Sequence, residues 1–189
     1  MRKLKLQVQT SVDGFIAGPN GEMDWLVWNW DDGIKSYVTA LTQPVDTIVL
    51  GRKLAQGFIP TWTSHLNNPE TADDFARKMV ETPKVVFTKT LGSSEWAHTE
   101  LAKGDLTEEI QKLKNQPGGD IIAYGGATFV SSLIKAGLID ELHLFINPTI
   151  LGAGMPIFQD LSSRKKLKLI QSQAFDCGIV VLNYEKALD

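Results

Sequence analysis

Short apolar runs alternate with segments of helical rhythm along most of this chain, and that alternation restricts its fold more than any other feature. Leu4, Leu6, Val8, Thr10 and Val12 alternate with Lys5, Gln7, Gln9 and Ser11. That is the period-two pattern of a strand. DTIVLG, KVVFTK, DIIAY and DELHLFINPTIL predict four more strands. DDGIKSYVTALTQ, DLTEEIQKLKNQ and ATFVSSLIKA predict helices, and NPETADDFARKMVET has helix-start chemistry in Asn68, Pro69 and Glu70. Asp31 or Asp32 lies where negative charge favours a helix start, and Gly137 is placed to end the helix before it. DGFIAGPNGEMDW reads as a long loop and GAGMPIF as a glycine-rich connection. The final runs, KKLKLIQSQAF and GIVVLNYEKAL, flank DCG and predict an antiparallel hairpin near Asp176 to Gly178. Strand and helix in alternation imply a mostly parallel sheet with helices on both faces, edged by that hairpin. No linker or repeat divides residues 1–189, so they read as one α/β domain.

Composition narrows the functional classes. The net charge of -3 argues against a general nucleic-acid partner. No apolar run approaches the roughly 20 residues of a membrane span, and the N-terminal segment alternates where a signal peptide would be continuously apolar. Cys177 is the only cysteine, and His65, His98 and His143 have no metal-ligand spacing, so no metal is expected. A cytoplasmic protein acting on a small molecule is the expectation.

Three strand ends carry candidate binding groups. Gly125 and Gly126 follow DIIAY and precede a helix, where ligands of open α/β sheets bind. A missing side chain admits a ligand close to the backbone, and the first amides of the helix favour an anion. The same pair also fits a tight turn with no ligand, and the segment is not G-x-G-x-x-G. Gly51, Arg52 and Lys53 end the second run, and Thr88 and Lys89 end the third. Each is weak alone. Together they fit one extended anionic ligand.

The succession SVDGFIAGPNGEMDW, IVLGRK, VVFTK, IIAYGGATFVSSLI and LIDELHLFINPTILGAGMPIF resembles the dihydrofolate reductase-like superfamily. It is most similar to the branch formed by the RibD C-terminal domain, the reductase of riboflavin biosynthesis. The likeness spans nearly the whole chain and is most specific in DELHLFINPTILGAGMPIF. It implies a three-layer sandwich around a mostly parallel, eight-stranded sheet, with NADPH lying along the strand ends. On that resemblance Gly51, Arg52 and Lys53 match the turn for the NADPH phosphates. Thr88 and Lys89 match the strand end near the adenosine ribose. Tyr124, Gly125, Gly126, Ala127, Thr128 and Phe129 match the loop under the pyrophosphate and nicotinamide. Ala17 and Gly18 match the loop edge over the nicotinamide. In dihydrofolate reductases the glycine pair is joined by a cis peptide.

The same resemblance implies a carboxylate on the first helix beyond a tryptophan. Trp25 matches the tryptophan, and Asp31 or Asp32 falls at the carboxylate's position; either also reads as a solvent-facing helix acid. Gln7 and Gln9 replace apolar residues of the folate cleft, and their amides fit a polar heterocycle or the solvent. The expected activity is NADPH-dependent reduction of a small polar substrate, pterin-like or ribosylamino-pyrimidine-like. A nucleotide-binding module of the same fold without catalysis is the alternative. Relatives of this branch commonly pair, and the terminal strands offer edges to cover, so a homodimer is expected.

Overall fold

The computed structural model describes residues 1–159 and 161–187. The chain runs β1 (Leu4–Thr10), β2 (Phe15–Ala17), α1 (Asp32–Thr42), β3 (Val45–Gly51), α2 (Arg52–Asn67), α3 (Asp74–Glu81), β4 (Lys84–Phe87), β5 (Thr99–Ala102), α4 (Leu106–Asn115), β6 (Asp120–Tyr124), α5 (Ala127–Lys135), β7 (Glu141–Ile146), β8 (Met155–Pro156), β9 (Leu167–Ala174) and β10 (Val180–Lys186). Eight strands form one sheet in the order β5-β4-β3-β6-β1-β7-β10-β9, and β2 pairs with β8. β10 runs antiparallel to both β7 and β9, and the other neighbours in the large sheet are parallel. The expected α/β sandwich with a C-terminal hairpin is therefore the observed one.

Alternation along β1 assigns the two cores. Leu4, Leu6 and Val8 pack with Ile110 of α4 and Val130 and Leu133 of α5. The opposite core holds Ile34, Val38 and Leu41 of α1, Ala55 and Ile59 of α2 and Met79 of α3. α1, α2 and α3 thus cover one face and α4 and α5 the other. No helix among the described residues is long and apolar enough to cross a membrane.

Several boundaries differ from the sequence reading for local physical reasons. α3 starts at Asp74 because Asp73 caps it, accepting from Ala76 N at 2.6 Å. Asn68, expected at a helix start, instead closes a turn that precedes it, its side chain accepting from Glu70 N. α2 continues through Pro60. β1 ends at Thr10, and Val12 is exposed. The strand expected over DELHLFINPTIL stops at Ile146, where the buried Asn147 diverts the backbone. Gly137 follows α5 at φ 66°, the left-handed stop expected of it.

The amino ends of β1, β6 and β7 carry a half-buried charge network. Lys5 pairs with Asp120 at 2.8 Å, Lys3 with Glu141 at 2.5 Å and Lys114 with Asp140 at 2.6 Å. The Tyr37 hydroxyl donates to His143 Nδ1 at 2.8 Å, and His143 Nε2 donates to Glu141 at 3.4 Å. That bond from His143, reinforced by Lys3 and opposed by burial, holds the Glu141 carboxyl down at about 2, against an ordinary 4.5. A carboxylate depressed by folding gives stability that is present above pH 4.5 and lost as the pH falls toward 2. Glu141→Gln is expected to flatten this acid limb. Thermal melts from pH 6 to 2 test it: equal slopes in wild type and variant would remove Glu141 from the account.

Candidate functional site

β3 and β6 are neighbours, and the chain leaves them in opposite directions. Beyond β3 it enters α2, whose Ala55 and Ile59 lie in one core; beyond β6 it enters α5, whose Val130 and Leu133 lie in the other. This is the point where an open α/β sheet opens a crevice at its carboxyl edge. Val49 pairs with Ala123, so Gly51, the last residue of β3, and Gly125, the first beyond β6, lie at neighbouring strand ends.

The two helices that begin here differ from the other three. Asp31, Asp73 and Asp105 cap α1, α3 and α4 with their side chains. α2 and α5 are preceded by Gly51 and Gly126, and no side chain caps either one. Their first amides are left for a ligand, and both helix dipoles favour an anion between them. Space requires glycine at one of these positions and backbone angle at the other two. A Cβ on Gly51 would stand 2.8 Å from Cβ of Phe129. Gly125 and Gly126 have φ 31° and 82°, which side chains resist, and both lie against Leu54. The cis peptide known from dihydrofolate reductases does not occur among the described residues; the positive φ angles make the turn here.

Cations and a hydroxyl surround the crevice. Arg52 opens α2, half-exposed, and its one side-chain hydrogen bond among the described residues is Nη1 to Gln56 Oε1 at 3.4 Å. Lys53 is exposed. Lys89 bridges two strand ends, donating to Lys103 O at 3.0 Å and Gly104 O at 2.9 Å. The buried hydroxyl of Thr88 accepts from Thr90 N and Leu91 N, each at 3.1 Å, and fixes the turn beyond β4. Phe129 packs on Phe87 with ring centres 5.1 Å apart, joining Thr88 to the glycine loop. Ala127 and Thr128 form the first turn of α5. Arg52, Lys53, Thr88, Lys89 and the 124–129 segment therefore share one edge of the molecule. Glycine without room for a side chain, open helix starts and flanking cations suit a dinucleotide phosphate chain.

The sheet beside this crevice is polar. Gln7 pairs in register with Tyr124 on one side and His143 on the other. Gln7 Oε1 and the Tyr124 hydroxyl are both buried, and neither has a hydrogen-bond partner among the described residues. Burial raises the Tyr124 phenol well above its ordinary range, so it stays protonated. Phe58 of α2 stacks on Tyr124 at 5.3 Å. Gln9 is committed, its Oε1 accepting from Asn147 Nδ2 at 2.7 Å. Asn147 Oδ1 accepts from Val27 N at 2.9 Å, so one buried amide ties β1 and β7 to the loop before α1. The sequence signal for Asn147 was a lone amide closing an apolar strand run.

The remaining expected site residues lie on β2 and on the stretch from it to the start of α1. Asp31 caps α1, accepting from Ile34 N at 2.9 Å, and also accepts from Cys177 N at 2.9 Å in the hairpin turn. These bonds, Ile34 first, lower its pKa, so it is a carboxylate at neutral pH and both oxygens are occupied. The Asp32 side chain is fully exposed. Asp31 is thus committed to backbone amides, and Asp32 faces solvent. Trp25 donates its indole N–H to Glu22 O at 3.0 Å, and Trp30 stacks on Phe145. Ala17 is buried in β2, and Gly18 donates its N–H to Glu22 O in a loop closed on itself.

The chain is similar to known proteins in sequence and in fold. The chain is 33% identical over 186 residues to the uncharacterized protein YyaP of Bacillus subtilis, covering 97% of this chain and 94% of that one. It resembles the structure of a Shewanella sp. PV-4 protein assigned to riboflavin biosynthesis, with a TM-score of 0.75, 25% identity and 100% of both chains covered. It also shares the fold of a Thermotoga maritima diaminohydroxyphosphoribosylaminopyrimidine deaminase/5-amino-6-(5-phosphoribosylamino)uracil reductase, with a TM-score of 0.70 and 18% identity. That match covers 98% of this chain and 57% of the Thermotoga protein. Residues 2–181 match the profile of the RibD C-terminal domain, and the chain, with its sheet order and glycine-lined switch point, belongs to that family.

Proposed function

We propose that this protein is an NADPH-dependent reductase of a small polar substrate, pterin-like or ribosylamino-pyrimidine-like. One observation carries the reading: two glycine-started, uncapped helices open into the same crevice, with Arg52 and Lys53 at the start of one. NADPH, when bound, supplies the hydride. The residues of this chain bind, orient and keep out water. Gly51, Gly125 and Gly126 admit the pyrophosphate, with the first amides of α2 and α5 toward it. Arg52, Lys53 and Lys89 oppose the phosphate charge. Gln7 and Tyr124 offer a buried amide oxygen and a neutral hydroxyl to the polar edge of a substrate. Asn147 holds Gln9 and the entry loop in place.

A second reading is favoured by Asp31 and Asp32, which provide no proton donor: a nucleotide-binding module that does not turn over. One titration separates the two. NADPH is expected to quench tryptophan fluorescence with saturation, and a panel of pterins and aminouracils is expected to yield cofactor oxidation with at least one member. Asp31→Asn is expected to lower the melting temperature yet leave that turnover within a few-fold. Saturable binding without oxidation across the panel would favour the module. Absence of binding would overturn both readings.

A further inference from the structure

His143 is buried within the sheet, as the third residue of β7. Its register neighbours are Gln7 of β1 on one side and Asn183 of β10 on the other. Tyr124 of β6 adjoins Gln7 in turn. Register partners project to the same face of a sheet. These four side chains therefore form one polar row across β6, β1, β7 and β10. Phe145 and Val181, two residues away on β7 and β10, pack in the core beneath α1, α2 and α3, so the row faces those helices. Three of its atoms are buried without a hydrogen-bond partner among the described residues: the Tyr124 hydroxyl, Gln7 Oε1 and Asn183 Oδ1. Buried polar groups are nearly always paired, so a row open at three points is one that a polar ligand completes.

One group is already set against this row. Tyr37 of α1 packs edge-on against Phe145 and Phe175, with ring centres 5.8 and 6.0 Å away. It brings its hydroxyl to His143 Nδ1 at 2.8 Å. His143 Nε2 faces Glu141 Oε2 at 3.4 Å. Glu141 in turn meets Lys3, whose side chain is half-exposed. The line from Tyr37 through His143 to Glu141 thus runs from the buried row to solvent. Burial, with the Glu141 charge, pushes the Tyr37 phenol up to about 12, so it holds its proton at neutral pH.

We propose that Tyr37 protonates the substrate of the reductase and that His143 resupplies its proton, an inference that rests on the reductase reading. The carbon of a substrate C=N bond takes up hydride, the nicotinamide is oxidised, and the π electron pair moves onto nitrogen. That nitrogen takes the proton of Tyr37 Oη, and Tyr37 Oη takes the proton of His143 Nδ1. His143 keeps its Nε2 proton toward Glu141 and regains the other from water, one per turnover. Only the doubly protonated ring can act. With a single ring proton, on Nε2, Nδ1 accepts from Tyr37 and holds that hydroxyl's proton away from the substrate. With two, Nδ1 donates, and the Tyr37 proton is free to leave. Glu141 stabilises that imidazolium. Lys3 and Lys5 stand around this carboxylate, with Asp120 and Glu185 beyond them. The other elements face the ring with neutral groups, α1 with Tyr37, β1 with Gln7 and β10 with Asn183.

Turnover is expected to fall as the pH rises and the proton on His143 Nδ1 is lost. The basic limb of kcat/KM belongs to the free enzyme. Its midpoint is therefore expected to match the His143 midpoint read by NMR in protein without cofactor. His143→Gln assigns that signal by its loss and is expected to abolish the limb. Tyr37→Phe is expected to lower kcat roughly a hundredfold or more. The NADPH dissociation constant of that variant, read by fluorescence, is expected to stay unchanged. A bond that merely held α1 to the sheet would move the melting temperature and leave the pH profile alone. Turnover of Tyr37→Phe within about threefold of wild type, or midpoints that disagree, would overturn the proposal and leave the reductase reading standing. Wild-type protein that binds NADPH and oxidises it with no member of the pterin and aminouracil panel would overturn both.

Discussion

Arg52→Ala is expected to weaken NADPH roughly tenfold or more and to change NADH affinity far less. The two cofactors differ by one 2′-phosphate with nearly two negative charges. A hydrogen bond to a charged group contributes about 1.5–3 kcal/mol, and each 1.4 kcal/mol is tenfold in affinity. Arg52 is half-exposed, so solvent and salt remove part of that gain. Among the described residues its guanidinium makes one long hydrogen bond, to Gln56, so little must be broken before it pairs with phosphate. Lys89 differs, since its ammonium already holds Lys103 O and Gly104 O. Lys89→Ala is expected to loosen those loops as well and to lower both affinities, NADPH more. Fluorescence titration at two ionic strengths measures the effect, and added salt should narrow the NADPH preference. Equal affinity of the wild type for both cofactors, or a parallel loss in both variants, would show that these cations do not read the 2′-phosphate.

Asn147→Leu is expected to cost more stability than any surface change in the molecule. Asn147 is fully buried, and its side chain makes three hydrogen bonds, to Val27 N, Gln9 Oε1 and Phe145 O. A leucine of similar size fills the space and satisfies none of them. Each buried group left without a partner costs about 1–3 kcal/mol, so a total of about 2–4 kcal/mol is expected. For a chain of this size that lowers the melting temperature by roughly 4–16 °C. Calorimetry measures the fall, and a change below about 1 kcal/mol would mean that water or a rearranged loop replaces the lost bonds. Any reductase turnover should fall further than stability does, since Gln9 and the loop that carries Trp25 lose their common anchor.

The layer architecture was legible because β1, β3, β4, β6 and β7 each present apolar side chains at strand spacing and end in turn chemistry. The glycine positions were legible for the same reason: a strand that stops at Gly51 or Tyr124 and passes directly into a helix has few other uses for glycine. β5 was not legible, since TELA is four residues long and only partly buried, too short for a period to register. α2 was obscured by Gly57 and Pro60, which break helical patterns in sequence but are carried here by the rest of a 16-residue helix. The roles of Asp31 and Asn147 depend on Cys177 and Val27, partners more than a hundred residues away in each case. No local pattern encodes such a contact. Asp31 illustrates the cost: its position at the start of α1 was readable, but that both of its oxygens are already occupied was not.

The place of β1 in the middle of the sheet has a consequence for how the protein is made. Leu4 pairs with Ile121 on one side, and Lys5 with Glu141 on the other. At translation rates of about 5–20 residues per second, the first of these partners leaves the ribosome roughly 6–24 s after β1 does. Throughout that interval Leu4, Leu6 and Val8 have no strand to pair with, and of the helices that cover them α4 emerges only near its end and α5 after it. The neighbouring β3 and β4 can pair earlier, so the nascent chain assembles from one flank and then receives its own beginning as the central strand. Until then β1 is an unpaired apolar strand, the kind of segment through which nascent chains aggregate.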